Sequence, residues 1–402
     1  MTSTARPAAP AELLPSARLL DLADHLPLAR ADIEFSAPTG TLWPESAVPD
    51  APNILALVRL MGPEQGPPAA VLKEARGVLG AAELRTQRRV LAELAIHPRL
   101  DEQWRELLPR ILAFDERPDA TASLESYRPG IDLAEMLARH PNHVEELTAA
   151  ALSAIAPLHG RTATFVVVDN VCLLRRWVIE PLAELTDMCQ RLDPRLVPEV
   201  DRLGMILRQA LVGLRMPVCW THGGYTPGNV RVAGVQGPVT GIVDWGGARP
   251  GQLALIDEYL MILTASCQVE RADLGTVVTE RLRAGGLSDR ERNALRGARD
   301  RRDADIGNRG RIDGRVDERV AILLTWLHHT ADLWRKWATH PNQHIWWATN
   351  VAPVLDAVAA CHGFDVSSSR TRAGRGAASG APMTRSQPVE DAAQATGNQA
   401  TG

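Results

Sequence analysis

The segment that most constrains the fold of this 402-residue chain runs from residue 218 to residue 257. A short apolar strand ends at Trp220 and gives way to a polar loop, HGGYTPGN, at residues 222–229. Residues 230–233 and 239–243 are β-prone and are separated by a turn rich in glycine and proline, so they are predicted to form a hairpin. The segment therefore predicts a strand, a polar loop and a hairpin in direct succession.

Pairing of the two hairpin arms is expected to hold Asn229 beside Asp244, although fourteen residues separate them in the sequence. An amide oxygen and a carboxylate brought together in this way suit Mg²⁺, which prefers hard oxygen ligands and usually binds substrate phosphates as well. Each residue alone is also typical of a local turn. The two residues at this spacing, with Trp245 and Gly246 following, favour the metal site.

The loop at residues 222–229 and the segment IVDWG at residues 242–246 resemble the aminoglycoside phosphotransferase and choline-kinase family. Members of that family are small-molecule kinases with a protein-kinase-like fold. Their loop reads His-Gly-Asp-x-x-x-x-Asn, and the Asp after the hairpin is usually followed by Trp or Phe. The resemblance implies that His222 braces the loop, that Asn229 and Asp244 bind Mg²⁺, and that the nucleotide is ATP or GTP.

Gly224 stands at the position where the family has its catalytic Asp. A general base contributes about 10²- to 10⁴-fold, and in a loose phosphoryl transfer much of its role is to orient the hydroxyl group. Tyr225 and Thr226 are the nearest polar side chains, but neither is a good base. Two functions therefore stay open: an ATP-dependent phosphotransferase with weakened catalysis, and a pseudokinase-like protein that binds nucleotide or another ligand without turnover.

Lys73 ends an apolar strand, and it is one of only two lysines in a chain that otherwise uses arginine, the other being Lys336. The resemblance implies that Lys73 holds the α- and β-phosphates of the nucleotide, whereas a lysine at a strand end is by itself more often a surface residue. Gln87 stands where the family has a Glu that pairs with this lysine. Because Gln can bind the lysine by a hydrogen bond but cannot neutralise it, the substitution is expected to weaken the site.

The segment from Ser123 to Ile131 resembles the connection between the two lobes, where backbone groups bind the purine. Glu125 and Tyr127 are therefore candidate cofactor-binding positions, although an ordinary linker fits the residue types equally well. His159 resembles another landmark of the family, at the end of a helix, and Asp257 matches a family Asp that supports the catalytic loop. Both are interpreted as structural.

The sequence predicts an α+β, bilobal protein-kinase-like fold with a small antiparallel β-sheet in the N-lobe and a mostly helical C-lobe. The expected divisions are an N-terminal extension (1–28), an N-lobe (29–126), a C-lobe (127–365) and a disordered tail (366–402). Helices are predicted at residues 81–97, 144–159, 177–192, 196–214, 253–266, 320–337 and 346–361. Residues 285–318 are predicted to be a charged helix that breaks into a mobile loop.

The composition of the chain limits the kinds of partner that can be expected. The net charge of −4 gives no electrostatic reason to expect nucleic acid or an anionic membrane as a partner. No run of about 18 apolar residues is present, and the five cysteines are scattered without metal-binding spacing. The expected setting is the cytoplasm, and the expected partner is a small-molecule acceptor with a hydroxyl group.

Overall fold

A computed structural model describes residues 33–36, 53–60, 70–75, 77–117, 120–168, 171–307, 316–337 and 343–360. The predicted N-terminal extension (1–28) and the predicted tail (366–402) lie outside these residues. Among the helices of the described ranges, none combines the length and the apolarity needed to cross a membrane.

An antiparallel sheet forms the first layer of the structure. Its five strands follow the order β1-β2-β3-β5-β4, with bounds β1 Ile33–Ser36, β2 Asn53–Leu60, β3 Ala70–Ala75, β4 Ile111–Arg117 and β5 Ala120–Ser126. Helix α1 (Gly77–Ala95) follows β3 and buries Leu84, Val90, Leu91 and Leu94 at helical spacing. The predicted sheet with one helix is confirmed.

The start of the lobe connection was predicted wrongly. Strand β5 continues to Ser126, because it pairs with β3 on one edge and with β4 on the other. The connection therefore begins at Tyr127 rather than at Ser123.

The rest of the described chain is mostly helical. The helices, after the short α2 (Glu102–Arg105), are α3 Leu133–Arg139, α4 Val144–Arg161, α5 Val171–Leu174, α6 Glu180–Leu192, α7 Val197–Leu211, α8 Ala254–Glu270, α9 Leu274–Arg283, α10 Asp289–Ile306, α11 Glu318–Trp337, α12 Gln343–Asn350 and α13 Ala352–Ala360. A π-helical turn, Arg175–Ile179, joins α5 to α6. The helix predicted over 346–361 is divided into α12 and α13, because Pro353 cannot continue a helix through that point.

Two small sheets shape the loop region of the C-lobe. The predicted hairpin is present as β9 (Val230–Val232) and β10 (Val239–Ile242), and β6 (Ile131–Asp132) pairs with β9. The other sheet has the order β11-β8-β7, in which β7 is Thr164–Val167, β8 is Arg215–Thr221 and β11 is Arg249–Gln252. The polar loop thus leaves one sheet at the end of β8 and enters the other at β9.

The charged segment after residue 285 forms helix α10 as predicted, while the expected mobile loop falls largely on residues 308–315, which are not described. Ser288 and Glu291 make a capping box at the start of the helix. Helix α10 is fixed to α8 by the buried carboxylate of Glu258, which binds Arg299 at 3.3 Å and also Arg302. Burial alone would raise the pKa of Glu258, but the two arginines together lower it.

Replacing Glu258 with Gln should destabilise the fold by about 3 kcal/mol, because two arginines would lose their buried counter-charge. The measurement is urea unfolding, with the exposed Glu93→Gln as a matched control, since Glu93 lies 4.0 Å from Arg89 on the surface. Because the pKa of Glu258 is lowered from 4.5 in the folded state, the difference should be present at neutral pH and shrink as the pH falls below 4.5. Equal stability of the two variants at neutral pH would contradict this role.

Candidate functional site

The carboxylate of Asp257, at the start of helix α8, fixes the polar loop. Its Oδ2 accepts a hydrogen bond from the backbone N–H of His222 at 2.7 Å, and its Oδ1 accepts one from the backbone N–H of Gly223 at 3.0 Å. Oδ2 also lies 3.0 Å from Nε2 of His159, at the end of α4. Asp257 and His159 are both buried, so three separate elements meet at one carboxylate.

The imidazole of His222 links the loop to the hairpin. Its Nε2 lies 2.9 Å from the carbonyl oxygen of Val243, and because a carbonyl only accepts, Nε2 is the protonated ring nitrogen. Burial lowers the pKa of His222, which keeps the ring neutral. The ring also packs against that of Trp245, with 4.6 Å between the centroids. The contacts agree with the bracing role that the resemblance implies.

Asn229 and Asp244 are brought together by the hairpin. The backbone N–H of Val243 donates to the carbonyl of Asn229 at 2.9 Å, so Asn229 lies across from the residue that precedes Asp244. The Asn229 amide nitrogen donates to the carbonyl of Gly224 at 2.9 Å, which leaves its Oδ1 as the atom suited to a cation. This oxygen and the Asp244 carboxylate are both hard donors of the kind that Mg²⁺ prefers.

The backbone of Asp244 has the left-handed conformation, with φ 65° and ψ 62°. A non-glycine residue in this region costs of the order of 1 kcal/mol or more, and such residues cluster at functional sites. The turn that follows is held by Trp245, whose buried indole N–H donates to the carbonyl of Ile242 at 2.8 Å. The side chain of Asp244 is 61% exposed, so a rigid turn presents this carboxylate at an open surface.

Within the described ranges, no group of three or more His, Cys, Asp or Glu side chains is arranged to hold a metal ion. A site made from one amide and one carboxylate has to complete its coordination with water and substrate. Mg²⁺ is commonly bound in this way, through one or two carboxylates and the phosphates of a nucleotide.

Lys73, on β3, connects the N-lobe to this region. Its Nζ lies 3.3 Å from Oε2 of Glu125 and 4.0 Å from Oδ1 of Asp244. Gln87, on α1, joins the same group, because its Oε1 accepts from Nζ of Lys73 at 3.1 Å and its Nε2 donates to Oε1 of Glu125 at 2.5 Å. Three of the candidate cofactor-binding residues are therefore in direct contact.

The predicted placement of Glu125 on the lobe connection is wrong. Glu125 lies within β5, and its side chain is buried. A sequence signal for this arrangement exists: residues 122–125 alternate between apolar and polar positions, with Ser123 and Glu125 on one face. Tyr127, the fourth candidate of this group, is half-buried at the start of the lobe connection, directly after the end of β5.

The structure removes Tyr225 from the candidates that could replace the missing carboxylate. Its hydroxyl donates to the carbonyl of Ala151 at 2.7 Å, and the whole side chain is buried in the C-lobe. Burial also raises the pKa of Tyr225 well above its usual value. Thr226 is half-buried in the same loop.

Gly223 and Gly224 differ in whether the loop leaves room for a Cβ atom. Gly223 has φ 78°, and a Cβ at this position would overlap the carbonyl oxygen of Gly247. Gly224 has an ordinary backbone conformation, and the nearest atom to its Cβ position is Nδ1 of His222 at 4.0 Å. The loop therefore requires glycine at position 223, but it has room for a side chain at position 224.

Comparison with known proteins gives a family match. Residues 58–255 match the model of the phosphotransferase enzyme family known as APH. The matched segment covers 198 of the 402 residues and includes Lys73 and the loop at residues 222–229. A search of curated proteins finds no match.

Solved structures show the fold. A choline kinase from Cryptosporidium parvum is 12% identical, with 87% of this chain and 97% of that chain covered and a TM-score of 0.50. Aminoglycoside phosphotransferases from Streptomyces rimosus (19% identity, 77% and 98% covered, TM-score 0.41) and Alicyclobacillus acidocaldarius (13%, 91% and 98%, TM-score 0.44) also match. The choline kinase match confirms the predicted bilobal, protein-kinase-like fold, and the predicted family resemblance is confirmed by the family model.

Gly223→Ala should destabilise the protein by more than about 2 kcal/mol, because it combines backbone strain with overlap at Gly247. Gly224→Ala is the matched control and should change stability little, since its Cβ meets no close neighbour. Thermal unfolding of both variants provides the measurement. If Gly223→Ala had the same melting temperature as the wild type, the tight approach between the loop and the turn after Asp244 would be refuted.

Proposed function

We propose that the chain is a phosphotransferase that uses ATP or GTP with Mg²⁺ to phosphorylate a hydroxyl group of a small molecule. The observation that carries this proposal is the 4.0 Å approach of the Lys73 ammonium, from the N-lobe, to the Asp244 carboxylate, from the C-lobe. Phosphoryl transfer depends mainly on placing cations around the phosphates, and this contact provides a cation and a metal ligand at one point.

Each candidate residue has a role in this proposal. Lys73 binds the phosphates, while Asp244 and Asn229 hold Mg²⁺, which when bound neutralises charge on the phosphate oxygens. His222 keeps the loop in place and does not take part in proton transfer. Tyr127 lies at the start of the lobe connection, where the family resemblance implies that backbone groups bind the purine.

The part of the site that would hold the acceptor has fewer suitable polar side chains than the part that would hold the phosphates. Gly224 offers no carboxylate to orient the hydroxyl group, and Tyr225 is directed into the core. Catalysis is expected to be slow, because the orienting contribution of a general base is absent. Thr226 is the remaining polar side chain of this part of the loop and is a weak substitute.

These same observations favour a second candidate function, a pseudokinase-like protein that binds nucleotide without turnover. Both functions require Lys73, Asn229 and Asp244, and both predict nucleotide binding. Only the phosphotransferase predicts release of ADP.

Calorimetric titration of ATP, with and without Mg²⁺, tests the nucleotide site. Binding by the wild type should depend on Mg²⁺, and Asp244→Ala should weaken it by at least about tenfold, because a direct metal ligand is lost. Asp201→Ala, which removes an exposed carboxylate on α7, should bind like the wild type. Absence of binding under every condition would reject the proposed function in both its forms.

Gly224→Asp tests whether only the base is missing. The position has room for a Cβ atom, so the variant should fold and should release ADP from ATP faster than the wild type, by about 10²-fold or more. Gly224→Asn, which has nearly the same shape but cannot accept a proton, is the control and should show no comparable gain. If Gly224→Asp binds ATP but gains no activity, a simple loss of the base is not the explanation.

A further inference from the structure

We propose that Glu125 on strand β5, and not a residue of helix α1, is the counter-charge that holds the Lys73 ammonium in the site. The proposal adds a positioning residue to the proposed function. It also explains why Gln87 can stand at the position of the family's glutamate: the negative charge that pairs with Lys73 comes from Glu125 instead.

Strand geometry directs the two side chains toward each other. In the register of β3 and β5, Lys73 pairs with Ser123 and Val71 pairs with Glu125. Side chains two residues apart on a strand share a face, so Lys73, Ser123 and Glu125 lie on the same side of the sheet. Ser123 adds a hydrogen bond from its hydroxyl to Oε1 of Glu125 at 3.3 Å.

The carboxylate of Glu125 is rigidly held. Its side chain is 3% exposed, and β5 is hydrogen-bonded to a strand on each side. Burial raises the pKa of Glu125, while the neighbouring Lys73 acts in the opposite direction. A buried carboxylate and a buried ammonium at 3.3 Å stabilise each other, and loss of Glu125 would leave Lys73 with only the more distant, exposed Asp244 carboxylate at 4.0 Å.

Gln87 complements this pair chemically. A lysine ammonium only donates hydrogen bonds and a carboxylate only accepts them, so the Gln87 amide oxygen must face Lys73 and its NH₂ group must face Glu125. A glutamate at position 87 would place a second carboxylate about where the amide lies, 2.5 Å from Oε1 of Glu125. Like charges at that distance repel, and therefore a charge on the strand requires a neutral residue on the helix.

The arrangement has a functional consequence. The Lys73 ammonium lies between a buried carboxylate at 3.3 Å and the exposed Asp244 carboxylate at 4.0 Å, so it is directed toward the candidate metal site. Loss of the Gln87 contact would remove a hydrogen bond but leave the charge pair intact. The position of Lys73 should accordingly depend on the sheet more than on helix α1.

The small number of lysines makes this proposal directly testable. Lys73 and Lys336 are the only lysines, so acetylation by acetic anhydride can be followed at Lys73 by peptide mass spectrometry with Lys336 as an internal reference. The Lys73 side chain is 9% exposed and its nitrogen is held by Glu125, so the reagent reaches that nitrogen only when the pair opens. Glu125→Gln, which keeps the shape of the side chain but removes the charged partner, should raise the relative acetylation rate of Lys73 by about tenfold or more.

Two variants serve as controls. Gln87→Ala should change the rate less than about threefold, because it removes a neutral partner. The exchange Gln87→Glu/Glu125→Gln moves the charge to the helix and should return the rate close to that of the wild type. If Glu125→Gln did not fold, Glu125→Asp, which keeps the charge but withdraws it from Lys73, should give an intermediate rate.

The proposal is overturned if Glu125→Gln leaves Lys73 as unreactive as in the wild type, or if Gln87→Ala has the larger effect. If Glu125→Gln did not fold, a Glu125→Asp rate equal to that of the wild type would overturn it as well. The labelling measurement uses no nucleotide, so its result stands even if ATP does not bind. A calorimetric titration of Mg²⁺-ATP on the same variants separates the two ideas: failure of the wild type to bind would reject the proposed function alone.

Discussion

The contacts of the Asp257 carboxylate are the constraint on which the rest of the site depends. This one buried group accepts two backbone N–H groups of the polar loop and contacts His159, so it sets the path of the chain from β8 into the hairpin. The path forces Gly223 into a conformation that glycine adopts without strain. It also directs His222 toward the end of β10, next to Asp244.

The site is assembled at the junction of the two lobes. The hairpin of the C-lobe supplies Asn229 and Asp244, the N-lobe sheet supplies Lys73 and Glu125, and helix α1 supplies the bridging Gln87. In the proposed function, Lys73, Asn229 and Asp244 are the groups assigned to the phosphates and the metal. The acceptor side lacks the carboxylate that Gly224 replaces, which is why nucleotide binding and turnover have to be tested separately.

Sequence reasoning succeeded where the determining interactions are local. The turn residues between β9 and β10, the periodicity of α1 and the apolar strand before Lys73 are all properties of short segments. The misplacement of Glu125 has a different origin, because its side chain contacts residues 52 and 38 positions away, Lys73 and Gln87. Without the register of β3 against β5, a glutamate near the end of a strand cannot be distinguished from a linker residue.

The sequence by itself determined the resemblance to the family, the kinase-like order of elements and the absence of a carboxylate at position 224, since these depend on residue types at fixed spacings. Only the tertiary structure decided that Gln87 is matched by a buried carboxylate, that Tyr225 is directed into the core, and that Lys73 approaches Asp244. These three facts arise from packing between elements distant in the sequence. The physical reason is that a buried charge or hydroxyl group needs a polar partner. The fold decides which partner lies within reach, and that partner determines what the group can do.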